Sequence, residues 1–223
     1  MKRKDYNGMM LDSGLNGDVY RINRSQIEKI SPDDKMNDSI EIYFLKKLQG
    51  MYGIPKYYHN NKYQKKTFHG KHGDGIYNND TNKLVKQGPA SGIVIEYCGE
   101  MTLDNYNKLT SNQLQKVMFN VCYIMYILYI EQKILHGDLH RKNIVLKRVN
   151  PYSKTYYIEN TKFKVSNQLY KVTVIDFDSC TSANTSNQMN DFNYLCTFFE
   201  NKFKPTNDYV ACINLNFESF KTS

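Results

Sequence analysis

Residues 117–130 read VMFNVCYIMYILYI, fourteen positions with one plainly polar side chain, Asn120. A membrane-spanning helix needs about 20 apolar residues, so this run is too short to cross a bilayer. It is expected to be the centre of a helix over 114–132, buried inside the protein. Such a helix must be covered by other elements, and the rest of the chain has to supply those layers. With 223 residues, one domain or two small lobes are available for that. A chain of this size buries roughly 70% of its unfolded surface, so the core needs no disulfide or metal support.

The segments before that helix read mainly as strands. VYRI at 19–22, a turn at 23–26 and IEKI at 27–30 make a hairpin. Ile40, Phe44, Leu45 and Leu48 recur at helical spacing, and that helix ends near Gly50. The polar stretch 59–92 reads as an extended loop or hairpin, and IVIEY at 93–97 as a buried strand. After the long helix come strands at 144–149 and 170–177 with a polar insertion between them. A last helix is expected over 191–203, with Leu195, Phe198 and Phe199 on one side. No internal repeat is visible. The expected fold class is α+β, a strand-rich part (1–97) followed by a helix-rich part (98–223), with the crossing near Tyr97.

The chemistry concentrates in HGDLHRKN at 136–143, between the buried helix and a strand. It resembles the H-x-D-L-x-x-x-N loop of protein kinases. The resemblance implies that Asp138 orients or accepts the proton of an attacking hydroxyl. It also implies that Asn143, five residues on, holds a metal ion against phosphates. VIDFDSC at 174–180 is similar to the strand ending in D-F-G, which makes Asp176 a Mg²⁺ ligand and puts Asp178 where glycine is usual. LDSGLNGDVY at 11–20 is similar to the glycine-rich G-x-G-x-x-G-x-V loop. Gly14, Gly17 and Val19 match, and Asp12 stands at the first glycine. Lys29 in IEKI stands where V-A-I-K places its phosphate-binding lysine, and Glu41 on the following helix is its candidate partner. Lys35 is the rival lysine.

The resemblance covers nearly the whole chain. EIYFLKKLQGMYGIPKYY, from Glu41 through Gly53-Ile54-Pro55, resembles the helix-C region of casein-kinase-one-type kinases. The second half is similar to haspin-like kinases, in the Asp138-Leu139-His140 and Asn143–Lys147 segments, a long insertion, and a strand closing on Asp176. Neither the haspin-like group nor this chain carries A-P-E. DFNYLC at 191–196 is similar to the start of the central helix of the helical lobe, whose aspartate, here Asp191, braces the catalytic loop. The fold implied is two-lobed and protein-kinase-like, with a small strand-rich N-lobe and a minimal C-lobe truncated after that helix.

The implied activity is ATP- and Mg²⁺-dependent transfer to Ser or Thr hydroxyls of a protein substrate, by a monomer. Adenine would lie against IVIEYC, with Ile95 as gatekeeper and Glu96 and Cys98 offering backbone hydrogen bonds. Gly137 replaces the arginine of H-R-D, so activation by a phosphorylated loop is not expected. HGDLH with IDFD also resembles aminoglycoside and choline phosphotransferases, and a catalytically dead binding module is the third reading. A dead module would be expected to lose one of Lys29, Asp138, Asn143 or Asp176, and all are present.

The formal net charge of +8 suits solubility or attraction to phosphate-rich or acidic partners. KYQKK and HGKHG inside 59–92 could touch an acidic partner or nucleic acid. Five cysteines with no C-x-x-C pair argue for a reducing compartment, cytoplasmic or nuclear, in a host cell or virion if the source is viral. The Asn-, Lys-, Tyr- and Ile-rich composition is what an AT-rich genome encodes. The charged start, MKRKDYNGMMLDSG, leads into no apolar run, so a signal peptide is not expected.

Overall fold

The computed structural model describes residues 9–14, 17–32, 37–68, 76–78, 83–183, 191, 193, 197, 203–204, 206 and 208–222. They form a mixed α+β chain in two compact units. One comprises Met1–Gln49 with Pro55–Tyr97, the other Gly50–Ile54 with Cys98–Ser223.

The first unit is an antiparallel sheet with a helix. Strands β1 (Met9–Gly14), β2 (Gly17–Arg21), β3 (Gln26–Pro32), β4 (Tyr57–Phe68), β5 (Ile76–Asn78) and β6 (Lys83–Glu96) pair in the order β1-β2-β3-β6-β4, with β5 also on β6. Helix α1 (Asn37–Lys47) packs near β4 and β6. Phe44, Leu45 and Leu48 are buried, whereas Ile40, expected on the same apolar face, is 37% exposed. The stretch 59–92, open between loop and hairpin from sequence, is a long strand pair in its described parts. In KYQKK, Lys62 and Gln64 are exposed and Tyr63 Oη donates to Glu28 Oε1, while the Lys65 and Lys66 side chains, HGKHG and Lys35 lie outside the described residues.

The second unit is built around α2 (Ser111–Tyr126), which widens into a π-helical turn at Ile127–Glu131. Its start is fixed by a reciprocal cap. The Thr110 hydroxyl accepts from the Gln113 N–H at 3.3 Å, and Gln113 Oε1 accepts from the Thr110 N–H at 2.9 Å. Short strands β7 (Met101–Thr102) and β8 (Ile134–Leu135) precede the long strands β9 (Ile144–Ile158) and β10 (Thr161–Val174). The insertion expected between two separate strands is itself strand, so 144–174 is one long hairpin. It turns at Glu159–Asn160, where Glu159 has φ 51°.

The hairpin covers α2. Phe119 lies 5.0 Å from the ring of Tyr156 and 5.6 Å from that of Phe163. Of the helix expected over 191–203, Asp191, Asn193 and Thr197 are helical, and Leu195, Phe198 and Phe199 lie outside the described residues. The chain continues past that segment with elements the sequence reading lacked. Helix α3 (Tyr209–Asn216) brings Phe217 to 5.3 Å from Phe119. After β11 (Thr181–Ser182), the strand β12 (Lys221–Thr222) extends the sheet as β12-β10-β9-β7. No helix among the described residues is long and apolar enough to cross a membrane.

Candidate active site

Two local structures bring the 136–143 loop to the residues after β10. Strand β8 pairs with β11, Leu135 opposite Thr181 and Ile134 opposite Ser182. The Ile175 N–H donates to the Asn143 carbonyl at 2.9 Å. Asp138, Asn143 and Asp176 are thereby held on adjoining segments of one unit.

Inside the loop, each polar group has a defined task. Asn143 Nδ2 donates to the Asp138 carbonyl at 3.0 Å, tying the two ends of the loop together. That leaves Asn143 Oδ1, the atom able to ligate a cation, turned from this bond. The Asp138 side chain is half exposed, so an incoming hydroxyl can reach it. His140 Nδ1 accepts the Lys142 N–H at 3.2 Å, which puts the ring proton on Nε2. Nε2 then faces Asp138 Oδ2 at 3.5 Å, a position from which it can orient the carboxylate. Sequence reading gave His140 no task of its own.

The loop is anchored from below by His136 and Asp191. His136 is fully buried. Its Nε2 donates to the Ile175 carbonyl at 3.0 Å, and its Nδ1 accepts the Asp138 N–H at 3.4 Å. A carbonyl only accepts, so Nε2 carries the proton and the ring is neutral. Burial pushes its pKa below the ordinary histidine value, against the opposing pull of the Ile175 hydrogen bond and of the Asp191, Asp176 and Asp138 charges. Asp191 Oδ2 accepts the N–H groups of His136 at 3.0 Å and Gly137 at 3.2 Å. This is the bracing contact the family resemblance implied for Asp191.

Asp176 has φ 69°, a left-handed conformation that aspartate tolerates better than most side chains. Phe177 is fully buried, with its ring 5.3 Å from that of His136, and Asp178 Oδ1 accepts the Ser179 hydroxyl. Gly137 has φ 84°, and a β-carbon there would stand 2.3 Å from the Ser179 carbonyl oxygen.

In the first unit, Lys29 Nζ lies 2.9 Å from Glu41 Oε2, with side chains 15% and 3% exposed. Val19 pairs directly opposite Lys29 across β2 and β3. Gly14 pairs with Gly17 at the end of the β1–β2 hairpin, whose tip, 15–16, lies outside the described residues. Gly17 also has a packing reason, because a β-carbon there would stand 2.2 Å from the Ile30 carbonyl oxygen. Ile95 is buried on β6 opposite Ile27, and the Glu96 N–H is taken by the Lys56 carbonyl at 2.8 Å. Cys98 is buried, outside any disulfide, at the start of the second unit's main segment.

Among the described residues no three His, Cys, Asp or Glu side chains cluster as a metal site. Mg²⁺ bound through one or two protein oxygens and substrate phosphates requires no such cluster. Asp176 and Asn143 supply oxygen donors of that kind. No protein-family model matches the chain, and no curated protein matches it either.

Proposed function

We propose that this chain is a phosphotransferase of the protein-kinase kind, with the two units as its N- and C-lobes, acting on Ser or Thr hydroxyls of a protein. The observation that carries the reading is the closed loop of the second unit. Asn143 ties back to Asp138, His136 ties Asp138 to Ile175 beside Asp176, and Asp191 holds the loop's backbone. Three groups suited to phosphoryl transfer thus sit on segments hydrogen-bonded to one another. The buried Lys29–Glu41 ion pair supports the same reading independently.

Bound Mg²⁺-ATP would supply the transferable phosphoryl group and neutralise its charge. Asp176 and the Asn143 side-chain oxygen would hold the metal. Lys29, fixed by Glu41, is the cation of the first unit suited to phosphate oxygens. Asp138 orients the acceptor hydroxyl and takes up its proton, with His140 holding the carboxylate. Most of the acceleration would come from positioning and from preorganised charge.

The test offers γ-labelled ATP with histone, casein, choline and an aminoglycoside as separate acceptors. Label is expected on protein Ser or Thr. Asp138→Asn is expected to lower the rate about 10²–10⁴-fold while ATP still binds. Transfer to the small alcohols alone would assign the chain to the small-molecule phosphotransferases. Unchanged turnover in the variant would remove Asp138 from the mechanism.

A further inference from the structure

We propose that the outward face of the β9–β10 ribbon binds a single-stranded nucleic acid. The proposal concerns a surface of the second unit, separate from the 59–92 stretch, and does not depend on phosphotransfer.

The ribbon has two unlike faces. Tyr156, Ile158, Phe163 and Val165 are buried, two of them directly against Phe119 of α2. The residues alternating with them point the other way. Tyr157 pairs opposite Lys162 and Thr155 opposite Lys164, and directly opposed residues share a face. That face carries an exposed tyrosine, 65% accessible, beside two exposed lysines. Lys147 and Arg148 are exposed nearer the base of the same ribbon.

The charge is one-sided. Between residues 144 and 174 there are six basic side chains and one acid, Glu159. Among the described residues, Lys147, Arg148, Lys162 and Lys164 meet no carboxylate, and Tyr157 stacks on no ring. Lys147 stands directly opposite Lys171, a like-charge pair that opposes folding of the hairpin. Burial, and after it the Lys171 charge, presses the pKa of Lys154 below the ordinary lysine value. An anionic ligand would relieve this accumulation.

The identity of the anion follows from Tyr157. A folded acidic protein needs cations but gains nothing specific from an exposed ring between them. A single strand offers phosphates to the cations and a base to the ring, the combination by which such strands are bound without sequence preference. Lys162 and Lys164 lie two residues apart on one strand, about 6.7 Å by strand rise. That spacing suits neighbouring phosphates of an extended chain. Duplex DNA keeps its bases stacked inside and would leave Tyr157 unused.

The experiment measures fluorescence anisotropy of a short labelled single-stranded oligonucleotide with the full chain, over a salt series. Three phosphate contacts, from Lys162, Lys164 and whichever of the consecutive Lys147 and Arg148 shares their face, predict a slope of log affinity against log salt near about −2.1, or a loss of about 20-fold between 50 and 200 mM. Lys162→Ala with Lys164→Ala should bring the slope to about −0.7. Tyr157→Ala should weaken binding about 5- to 150-fold with the slope unchanged. All these positions are exposed, and circular dichroism checks that each variant stays folded. The proposal is overturned by no binding at 50 mM salt, by equal binding of the ribbon variants, by equal or tighter binding of duplex, or by displacement with polyglutamate as effective as with unlabelled strand. The last result would make the surface a dock for acidic protein.

Discussion

The α-carbon of Gly137 packs so closely against Ser179 that a β-carbon would stand 2.3 Å from its carbonyl oxygen. The obstacle is backbone, so no rotamer change relieves it, and the glycine also sits at φ 84°. Any side chain at this position, arginine included, meets that steric obstacle. Thr181 and Ser182, which follow this contact, are held against Ile134 and Leu135, just before the 136–143 loop, by the β8–β11 pair.

Gly137→Ala, and Gly137→Arg more strongly, should therefore lower stability by at least about 1–2 kcal/mol from the left-handed backbone alone, and reduce transfer. Urea denaturation and initial rates measure both. The parent protein treated with phosphatase should keep its rate. An arginine variant that is as stable as the parent and becomes phosphorylation-dependent would refute the steric account.

Asp176 combines a left-handed φ of 69° with the proposed metal-ligand role. Two substitutions separate these. Asp176→Asn keeps a side chain that tolerates this backbone but loses the charge. Asp176→Ala loses the charge and adds about 1–2 kcal/mol of backbone strain. Both should abolish the Mg²⁺-dependent part of the thermal shift caused by ATP, and only alanine should lower the melting temperature without ligand. An identical Mg²⁺ response in asparagine variant and parent would take Asp176 out of the metal site.

Much of this arrangement was legible because it is local. HGDLHRKN and VIDFD each lie within one turn or strand end, and the run around Phe119 announces a buried helix by composition alone. The β9–β10 hairpin was not legible beyond its two ends. Its turn, Glu159–Asn160, lacks the usual glycine signal, and its register shifts between Val165, Gln168 and Tyr170. Each shift breaks the alternation by which a strand is recognised. Helix α3 was hidden because it is only eight residues long, too short for a helical repeat to show, and its neighbourhood finds partners, such as Phe119 for Phe217, far away in sequence. The roles of His136 and His140 depend on which ring nitrogen meets which backbone group, and spacing carries no such information.

Asn120 is the polar residue inside the apolar run, and every one of its hydrogen-bonding groups is used. Its Oδ1 accepts from Tyr52 Oη and from Tyr156 Oη, each at 2.6 Å. Its Nδ2 donates to the Lys116 carbonyl at 2.7 Å and to Gln168 Oε1 at 2.8 Å. Asn120→Leu fits the volume but strands these partners, at about 1–3 kcal/mol for each one left buried and unpaired. The Asn120→Leu and Tyr156→Phe losses should be non-additive in a double-mutant cycle followed by urea denaturation. Simple additivity would mean that the network contributes nothing as a unit.

The last expectation concerns acid. His136 is neutral in the folded protein, with Nε2–H on the Ile175 carbonyl and Nδ1 accepting from Asp138, and burial holds its pKa below the ordinary value. The unfolded chain takes up this proton near pH 6.5. Below that pH the unfolded state binds more protons than the folded one, so stability rises with pH across this window. The contribution is fully present above about pH 6.5 and is lost as pH falls toward the depressed folded value, with a slope of at most about 1.4 kcal/mol per pH unit. The groups facing the ring, Asp191, Asp176 and Asp138, pull the pKa upward and shorten the window without reversing the sign. Urea midpoints between pH 5 and 7.5 should fall faster on acidification in the parent than in His136→Gln, whose amide can still donate to Ile175 but does not titrate. Their common carboxylates cancel in that difference. Parallel curves would show that His136 is not held neutral by the fold.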